Sequence, residues 1–217
     1  MIELIPSILV ESAKEFERRL RLVDGLVKTV HIDILDGTIY PHVSWHDPRV
    51  VGDIATSVEY EIHLMVENPL PIIAEWKKLV PNLRRAIVQS ELDRPVGLIL
   101  EEIKQIHHLE AYLAINPESV IKEELRKEAN LDGVLVMGVR PGASAQPILL
   151  DLTLSKLQHL HGLIPNLPLC CDGGVRAENM ETLVKAGCTK VVTASAIYDA
   201  PDPALALKNL LTALSSL

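Results

Sequence analysis

The chain has 217 residues, of which 48% are hydrophobic and 23% charged, a balance typical of folded globular proteins that excludes a disordered chain. Its 21 basic and 29 acidic side chains give a net charge of −8, so we expect no binding to nucleic acid or to an anionic membrane. The first residues lack a basic and apolar signal-peptide pattern, and no apolar run reaches about 18 residues. We therefore expect a cytoplasmic protein.

The cysteine and aromatic contents describe the expected core. The three cysteines, Cys170, Cys171 and Cys188, are an odd number without the spacing of a zinc site, so we predict reduced core residues. Aromatic residues make up only 3% of the chain. The core must therefore be aliphatic, as in parallel sheets covered by helices.

Short β-branched apolar runs alternate with longer amphipathic runs along the whole chain, without a linker between them. The predicted strands cover residues 3–9, 29–34, 59–66, 85–89, 111–116, 133–139, 168–171 and 190–194. The predicted helices cover residues 13–22, 48–55, 71–79, 96–107, 118–128, 149–163, 177–186 and 203–214. Eight strand–helix units of about 27 residues indicate an α/β protein.

Two topologies share this alternation. A doubly wound open sheet usually carries a glycine-rich turn after its first strand, but the first strand here ends in Pro6-Ser7-Ile8-Leu9. The sequence therefore favours a single (β/α)8 TIM barrel over residues 1–217. In that fold the functional side chains lie at the carboxyl ends of the strands.

Four titratable side chains occupy such positions. His31 and Asp33 are two residues apart on the second predicted strand, so they share one face, while His63 and Asp172 lie near the ends of the third and seventh strands. If these groups were buried without partners, each would cost several kcal/mol. A metal ion removes that cost, and two imidazoles with two carboxylates suit Zn²⁺, Fe²⁺, Mn²⁺ or Co²⁺.

The motifs around these residues occur in a characteristic order and spacing. They are Pro6-Ser7-Ile8-Leu9, His31-Ile32-Asp33-Ile34-Leu35-Asp36-Gly37, His63-Leu64-Met65, Asn116-Pro117, Val136-Met137, Pro141-Gly142, Asp172-Gly173-Gly174 and Ser195-Ala196-Ile197. Over essentially the whole chain this ordered set resembles the ribulose-phosphate 3-epimerases.

The resemblance implies a metal-dependent isomerase of the pentose phosphate pathway, which inverts C3 of D-ribulose 5-phosphate to give D-xylulose 5-phosphate. It places one divalent ion, Zn²⁺ or Fe²⁺ before Mn²⁺ or Co²⁺, on His31, Asp33, His63 and Asp172. Asp33 would remove the C3 proton and Asp172 would return one, because inversion through a planar enediolate needs a base and an acid on opposite faces. The ion would neutralise the oxyanion that develops.

The resemblance also implies a set of substrate contacts, although the phosphate-binding loops depart from the family pattern. The implied contacts are Ser7, His63, Met65, Met137, Gly142, Ala143, Ser144, Ala145, Gly173, Gly174, Ala194 and Ser195. Residues 143–145 replace an aromatic residue and two glycines, Ala194 replaces a glycine, and Gln89 stands where a histidine is common. We hypothesise that Arg140 and Arg176 compensate by binding the phosphate through their guanidinium groups.

Three functions stay open. The first is the pentulose-phosphate epimerase, the second a 3-epimerase of another ketose phosphate such as D-allulose 6-phosphate, and the third a metal-binding barrel without turnover. Hexulose-phosphate synthases and related decarboxylases are disfavoured, because the third predicted strand lacks their Asp-x-Lys-x-x-Asp pattern. The expected partner is a small sugar phosphate, and the resemblance implies a homo-oligomer.

Overall fold

A computed structural model describes residues 2–121, 125, 129–142 and 146–217 of the chain. Eight parallel strands close into a barrel in chain order, with the last strand paired to the first. The strands are β1 (Glu3–Ile8), β2 (Thr29–Leu35), β3 (Glu59–Met65), β4 (Leu83–Gln89), β5 (Glu110–Ile115), β6 (Gly133–Met137), β7 (Leu169–Asp172) and β8 (Lys190–Thr193). The predicted (β/α)8 barrel is confirmed, and each strand lies within two residues of its predicted bounds.

Helices surround the barrel. In the part of the chain that the structure describes they are α1 (Ala13–Val23), α2 (Pro48–Asp53), α3 (Pro69–Leu79), α4 (Val96–Gln105), α5 (Leu150–Leu163), α6 (Ala177–Lys185), α7 (Ser195–Tyr198) and α8 (Pro203–Ser215). Local chemistry explains their ends: the Ser12 side chain accepts a hydrogen bond from the amide of Glu15, and Gly187 takes a φ of +105° just after α6. None of the described helices is long and apolar enough to cross a membrane.

Two helix predictions need correction. The helix predicted for residues 118–128 does not begin at its first residue, because residues 118–121 form a turn and irregular backbone. Pro117 initiates that turn, in which the amide of Ser119 donates to the carbonyl of Asn116. The remainder, residues 122–124 and 126–128, lies outside the described residues. Conversely, the structure contains a four-residue helix, α7, that was not predicted.

The period of two along each strand divides the core into two parts. Outward-facing residues pack against the helices, as Val30, Ile32 and Ile34 of β2 do. The inward-facing apolar residues form a smaller cluster inside the barrel, made of Ile5, Ile87, Tyr112, Ala114, Leu135, Met137, Cys170 and Val192. All three cysteines are buried and unbridged, as predicted. Two inward positions on each of β2, β3 and β4 carry buried polar side chains, namely His31 and Asp33, Glu61 and His63, and Arg85 and Gln89.

A pair of helical glycines tests how closely the outer ring is packed. A Cβ atom at Gly52 in α2 would lie 2.0 Å from the backbone oxygen of Leu79 in α3, whereas one at Gly162 in α5 would meet nothing within 4 Å. We expect Gly52→Ala to lower the free energy of unfolding by about 3 kcal/mol, because overpacking outweighs the gain from the higher helix propensity of alanine. Gly162→Ala is the control and should raise it by about 0.5 kcal/mol. Urea unfolding measures both, and an equal effect of the two substitutions would contradict the close α2–α3 approach.

Candidate active site

Four buried side chains meet at the carboxyl end of the barrel. Inward-facing His31 and Asp33 come from β2, His63 lies beside Asp33 in the register of β2 with β3, and Asp172 ends β7. One nitrogen or oxygen atom from each lies within 4.8 Å of the others. Asp33 Oδ1 is 3.2 Å from His31 Nε2 and 3.1 Å from His63 Nδ1, and Asp172 Oδ2 is 4.0 Å from His31 Nε2. The structure thus brings together all four residues for which the sequence predicted a metal site.

A buried ionic column supports the cluster from below. The carboxylate of Glu61, inward-facing on β3, lies 2.6 Å from His31 Nδ1 and pairs with the guanidinium of Arg85 on β4. Arg85 also bonds Glu110 at 2.6 Å and lies 4.3 Å above the ring centre of Tyr112. The sequence analysis missed this column. The signal was available, because Glu61 lies two residues before His63 and therefore shares its inward face.

The remaining contacts of the cluster are neutral. The Ser7 hydroxyl donates to Asp33 Oδ2 at 2.7 Å. Gln89 Nε2 lies 2.9 Å from His63 Nε2, while the amide oxygen of Gln89 is buried without a hydrogen-bond partner. Both histidines therefore turn one nitrogen toward Asp33 and hold the other against a polar side chain, and the carboxylate of Glu61 behind His31 is a partner typical of metal-ligating histidines.

The two aspartates have opposite electrostatics. Burial opposes the ionisation of Asp33, but His31 and His63 outweigh it, so the pKa of Asp33 lies well below its usual value. Burial, and next the charge of Asp33, raises the pKa of Asp172 to about 7. Near neutral pH the cluster thus holds one carboxylate that stays ionised and one that exchanges a proton.

The pKa values of the two histidines are also shifted in opposite directions. Burial by itself lowers the pKa of His31, but Asp33 and Glu61 outweigh it and raise that pKa well above the usual value. Burial dominates at His63 and lowers its pKa. Burial raises the pKa of Glu61, but its hydrogen bond to His31 and the charges of His31 and Arg85 outweigh that effect and hold the pKa below its usual value. With two imidazole nitrogens and two carboxylate oxygens, the cluster can hold a divalent metal ion.

A cavity of about 70 Å³ opens above the cluster. Of the residues predicted to contact substrate, those that line it are Ser7, Met65, Met137, Gly142, Gly173, Gly174, Ala194 and Ser195. His63 lies below the lining, while Ala143, Ser144 and Ala145 lie outside the described residues. Gln146 and Thr193 also line the cavity, and the sequence analysis had not singled them out.

The glycines that follow β7 bring their backbone close to the rest of the cavity wall. Gly174 has a φ of +69°, and a Cβ atom there would lie 2.6 Å from the amide nitrogen of Ile148. Asn179 of α6 holds this turn, since its side chain donates to the carbonyl of Gly174 at 3.0 Å. Ala194, which replaces a glycine of the family pattern, has a φ of −120° and so lies outside the left-handed region that favours glycine.

Neither arginine of the phosphate hypothesis lines the cavity as the described residues form it. The side chain of Arg140 is 72% exposed, and its guanidinium pairs with Glu118 at 2.5 Å. Arg176 is exposed at the start of α6, where its amide donates to the side chain of Asn179. Their role toward a phosphate stays a prediction.

Tyr40 crosses the mouth of the barrel from the loop after β2. Its hydroxyl accepts a hydrogen bond from Asn116 Nδ2 at 3.1 Å, and a Cβ atom at Gly142 would lie 3.0 Å from Tyr40 Cβ. An aromatic side chain from this loop thus packs against the segment that follows β6.

Comparisons with known proteins agree with this geometry. The sequence model of the ribulose-phosphate 3 epimerase family matches residues 3–198. Among related proteins, the ribulose-phosphate 3-epimerase of Bacillus subtilis is 26% identical over 220 residues, covering 97% of this chain and 98% of its own. The Helicobacter pylori enzyme of that name is 28% identical over 228 residues and covers 100% of both chains.

Solved structures share the fold at lower identity. The 3-hexulose-6-phosphate synthase of Salmonella typhimurium superposes with a TM-score of 0.74 at 14% identity, covering 99% of each chain. The orotidine 5'-phosphate decarboxylase of Pyrococcus horikoshii gives 0.68 at 14% identity, covering 99% of this chain and 100% of its own. At such identities these structures support the barrel fold alone.

The buried column predicts unequal effects for two adjacent arginines. Arg85→Met would leave Glu61 buried beside His31 without its cation, so we expect the free energy of unfolding to fall by about 3–5 kcal/mol. Arg84, whose side chain is 55% exposed, also pairs with Glu110, so Arg84→Met should cost less than about 1 kcal/mol. Denaturant unfolding compares the two variants. Similar losses would show that the Glu61–Arg85 pair does not support the barrel.

Proposed function

Since the chain belongs to the ribulose-phosphate 3-epimerase family and is an isomerase of the racemase and epimerase class, we propose that it interconverts D-ribulose 5-phosphate and D-xylulose 5-phosphate. The observation that carries this proposal is the pair of buried aspartates with unlike protonation, Asp33 and Asp172. Inversion of a carbon next to a carbonyl needs one group to take a proton and another to supply one.

Asp33 is the proposed base. It is ionised, and Ser7, His31 and His63 hold its two oxygens in one orientation. Asp172, with its pKa of about 7, is the proposed acid for the opposite face of the substrate. A substrate between β2 and β7 would have one carboxyl group on each side, so the proton need not return to the face that it left.

A divalent metal ion is the proposed cofactor, held by His31, Asp33, His63 and Asp172. When bound, it supplies positive charge that stabilises the oxyanion formed as the C3 proton leaves. Imidazole and carboxylate donors suit Zn²⁺, Fe²⁺, Mn²⁺ and Co²⁺. The family resemblance makes Zn²⁺ or Fe²⁺ the ion proposed first. Met65 and Met137 line the cavity and would exclude water from the planar intermediate.

The proposed phosphate site is the turn of Gly173 and Gly174 after β7 together with Ser195 at the start of α7, which follows the neighbouring strand β8. Both glycines have positive φ and lie in the cavity wall, where backbone amides can approach phosphate oxygens. Arg140 and Arg176 are proposed as additional phosphate contacts after movement of their side chains. Equal KM values for wild type, Arg140→Ala and Arg176→Ala would rule these contacts out.

Single aspartate variants separate proton removal from inversion. We expect Asp33→Asn and Asp172→Asn each to lower kcat for epimerisation at least about 100-fold, since each removes one proton-transfer group. With D-ribulose 5-phosphate in D₂O, Asp172→Asn should retain more C3 exchange than epimerisation, while Asp33→Asn should lose both. NMR measures exchange and inversion together. Asp36→Asn, at an exposed position just after β2, is the control and should keep wild-type rates.

A panel of ketose phosphates in the same assay tests the substrate. Exchange on a hexulose 6-phosphate but not on D-ribulose 5-phosphate would replace the proposed substrate. Bound metal without exchange on any ketose phosphate would instead favour a metal-binding barrel without turnover.

A further inference from the structure

We propose that Gln89 is a positioning residue that selects the tautomer of His63 required for metal binding, with Nδ1 free and the proton on Nε2. The proposal rests on the metal site of the proposed function. It extends that site to a neutral side chain on β4 that lies behind the ligand and not in the cavity lining.

The two histidines present different ring nitrogens to the same place. His31 turns Nε2 toward Asp33 Oδ1, at 3.2 Å, whereas His63 turns Nδ1 toward the same oxygen, at 3.1 Å. A neutral imidazole carries one proton, so a ring that offers one nitrogen to a metal ion must keep its proton on the other. His31 and His63 must therefore adopt opposite tautomers in a metal-loaded site.

The partner behind His31 determines its tautomer without ambiguity. Glu61 lies 2.6 Å from His31 Nδ1, and an ionised carboxylate only accepts hydrogen bonds. The proton on Nδ1 is thereby retained, and a metal ion that binds Nε2 takes the place of the other proton of the imidazolium. This tautomer is built into the barrel, because Arg85 holds Glu61 from the other side.

The partner behind His63 can act in either direction. An amide has one end that donates and one that accepts, and Gln89 lies fully buried with Nε2 at 2.9 Å from His63 Nε2. In this orientation Gln89 donates, so the His63 proton lies on Nδ1 and points at Asp33. When the amide turns by half a rotation, Oε1 accepts from His63 Nε2–H and the lone pair of Nδ1 is released.

Nothing else in the described structure holds the amide in one orientation. Its oxygen is buried without a hydrogen-bond partner, so the bond to His63 is the one polar contact recorded for this side chain. The orientation of the Gln89 amide and the tautomer of His63 are consequently set together. Binding of a metal ion to Nδ1 requires the accepting orientation, and a side chain without an acceptor at position 89 would leave the His63 N–H without a buried partner.

Substitutions at position 89 test this role through metal affinity, which needs no substrate. Gln89→Met has a similar length but no acceptor, so we expect its Zn²⁺ affinity to fall by about 10- to 100-fold, the range found when partners of ligating histidines are removed. Gln89→Glu supplies an acceptor and should restore affinity to the wild-type level or above. Gln105→Met, at an exposed position in α4, is the matched control and should bind Zn²⁺ as the wild type does.

The ¹⁵N chemical shifts of the His63 ring give a readout that a purely structural role would not move. We expect the proton on Nδ1 in the metal-free wild type and on Nε2 in the Zn²⁺-loaded wild type and Gln89→Glu variant. If Gln89→Met bound Zn²⁺ with wild-type affinity, the role of Gln89 would be overturned while the metal site stood. If His63 kept its proton on Nδ1 in the loaded wild type, binding of the ion through Nδ1 would be overturned together with the role of Gln89. If the wild type bound none of the four divalent ions, the metal site itself would be overturned, and the role of Gln89 with it.

Discussion

The barrel depends on one set of buried ion pairs, which allows charged side chains to lie inside it. Glu61 is buried between an imidazole and a guanidinium, and Arg85 continues the contacts to Glu110 at the opposite end of the strands. The rest of the barrel interior is filled mainly by apolar side chains, among which an isolated charge would be far too costly. The column is stable because every charged member contacts a group of opposite charge. At its upper end, Glu61 fixes the orientation of His31 in the candidate site.

This support makes the candidate site asymmetric. Asp33 receives a hydroxyl and two imidazoles, whereas Asp172 lies farther from the histidines and feels mainly burial and the charge of Asp33. Two chemically identical carboxyl groups therefore reach neutral pH in different protonation states. Their environments, and not their residue type, give the two carboxyl groups different proton affinities, and the proposed roles of base and acid follow from that difference.

The regular parts of the fold could be predicted because they follow local rules. All eight strands were found from β-branched runs. The helix predictions failed at two places where no periodic pattern is present. Pro117 directs a turn at the start of one predicted helix, and α7 is too short to show a periodic pattern.

The sequence by itself determined the number of strand–helix units and the four residues of the candidate metal site, because side-chain direction alternates along a strand and function in such barrels lies at the strand ends. Only the tertiary structure decided which nitrogen each histidine presents. That choice depends on Glu61 behind His31 and Gln89 behind His63, contacts between residues 30 and 26 positions apart in the chain. Such contacts arise from the register between neighbouring strands, and no local pattern in the sequence encodes them.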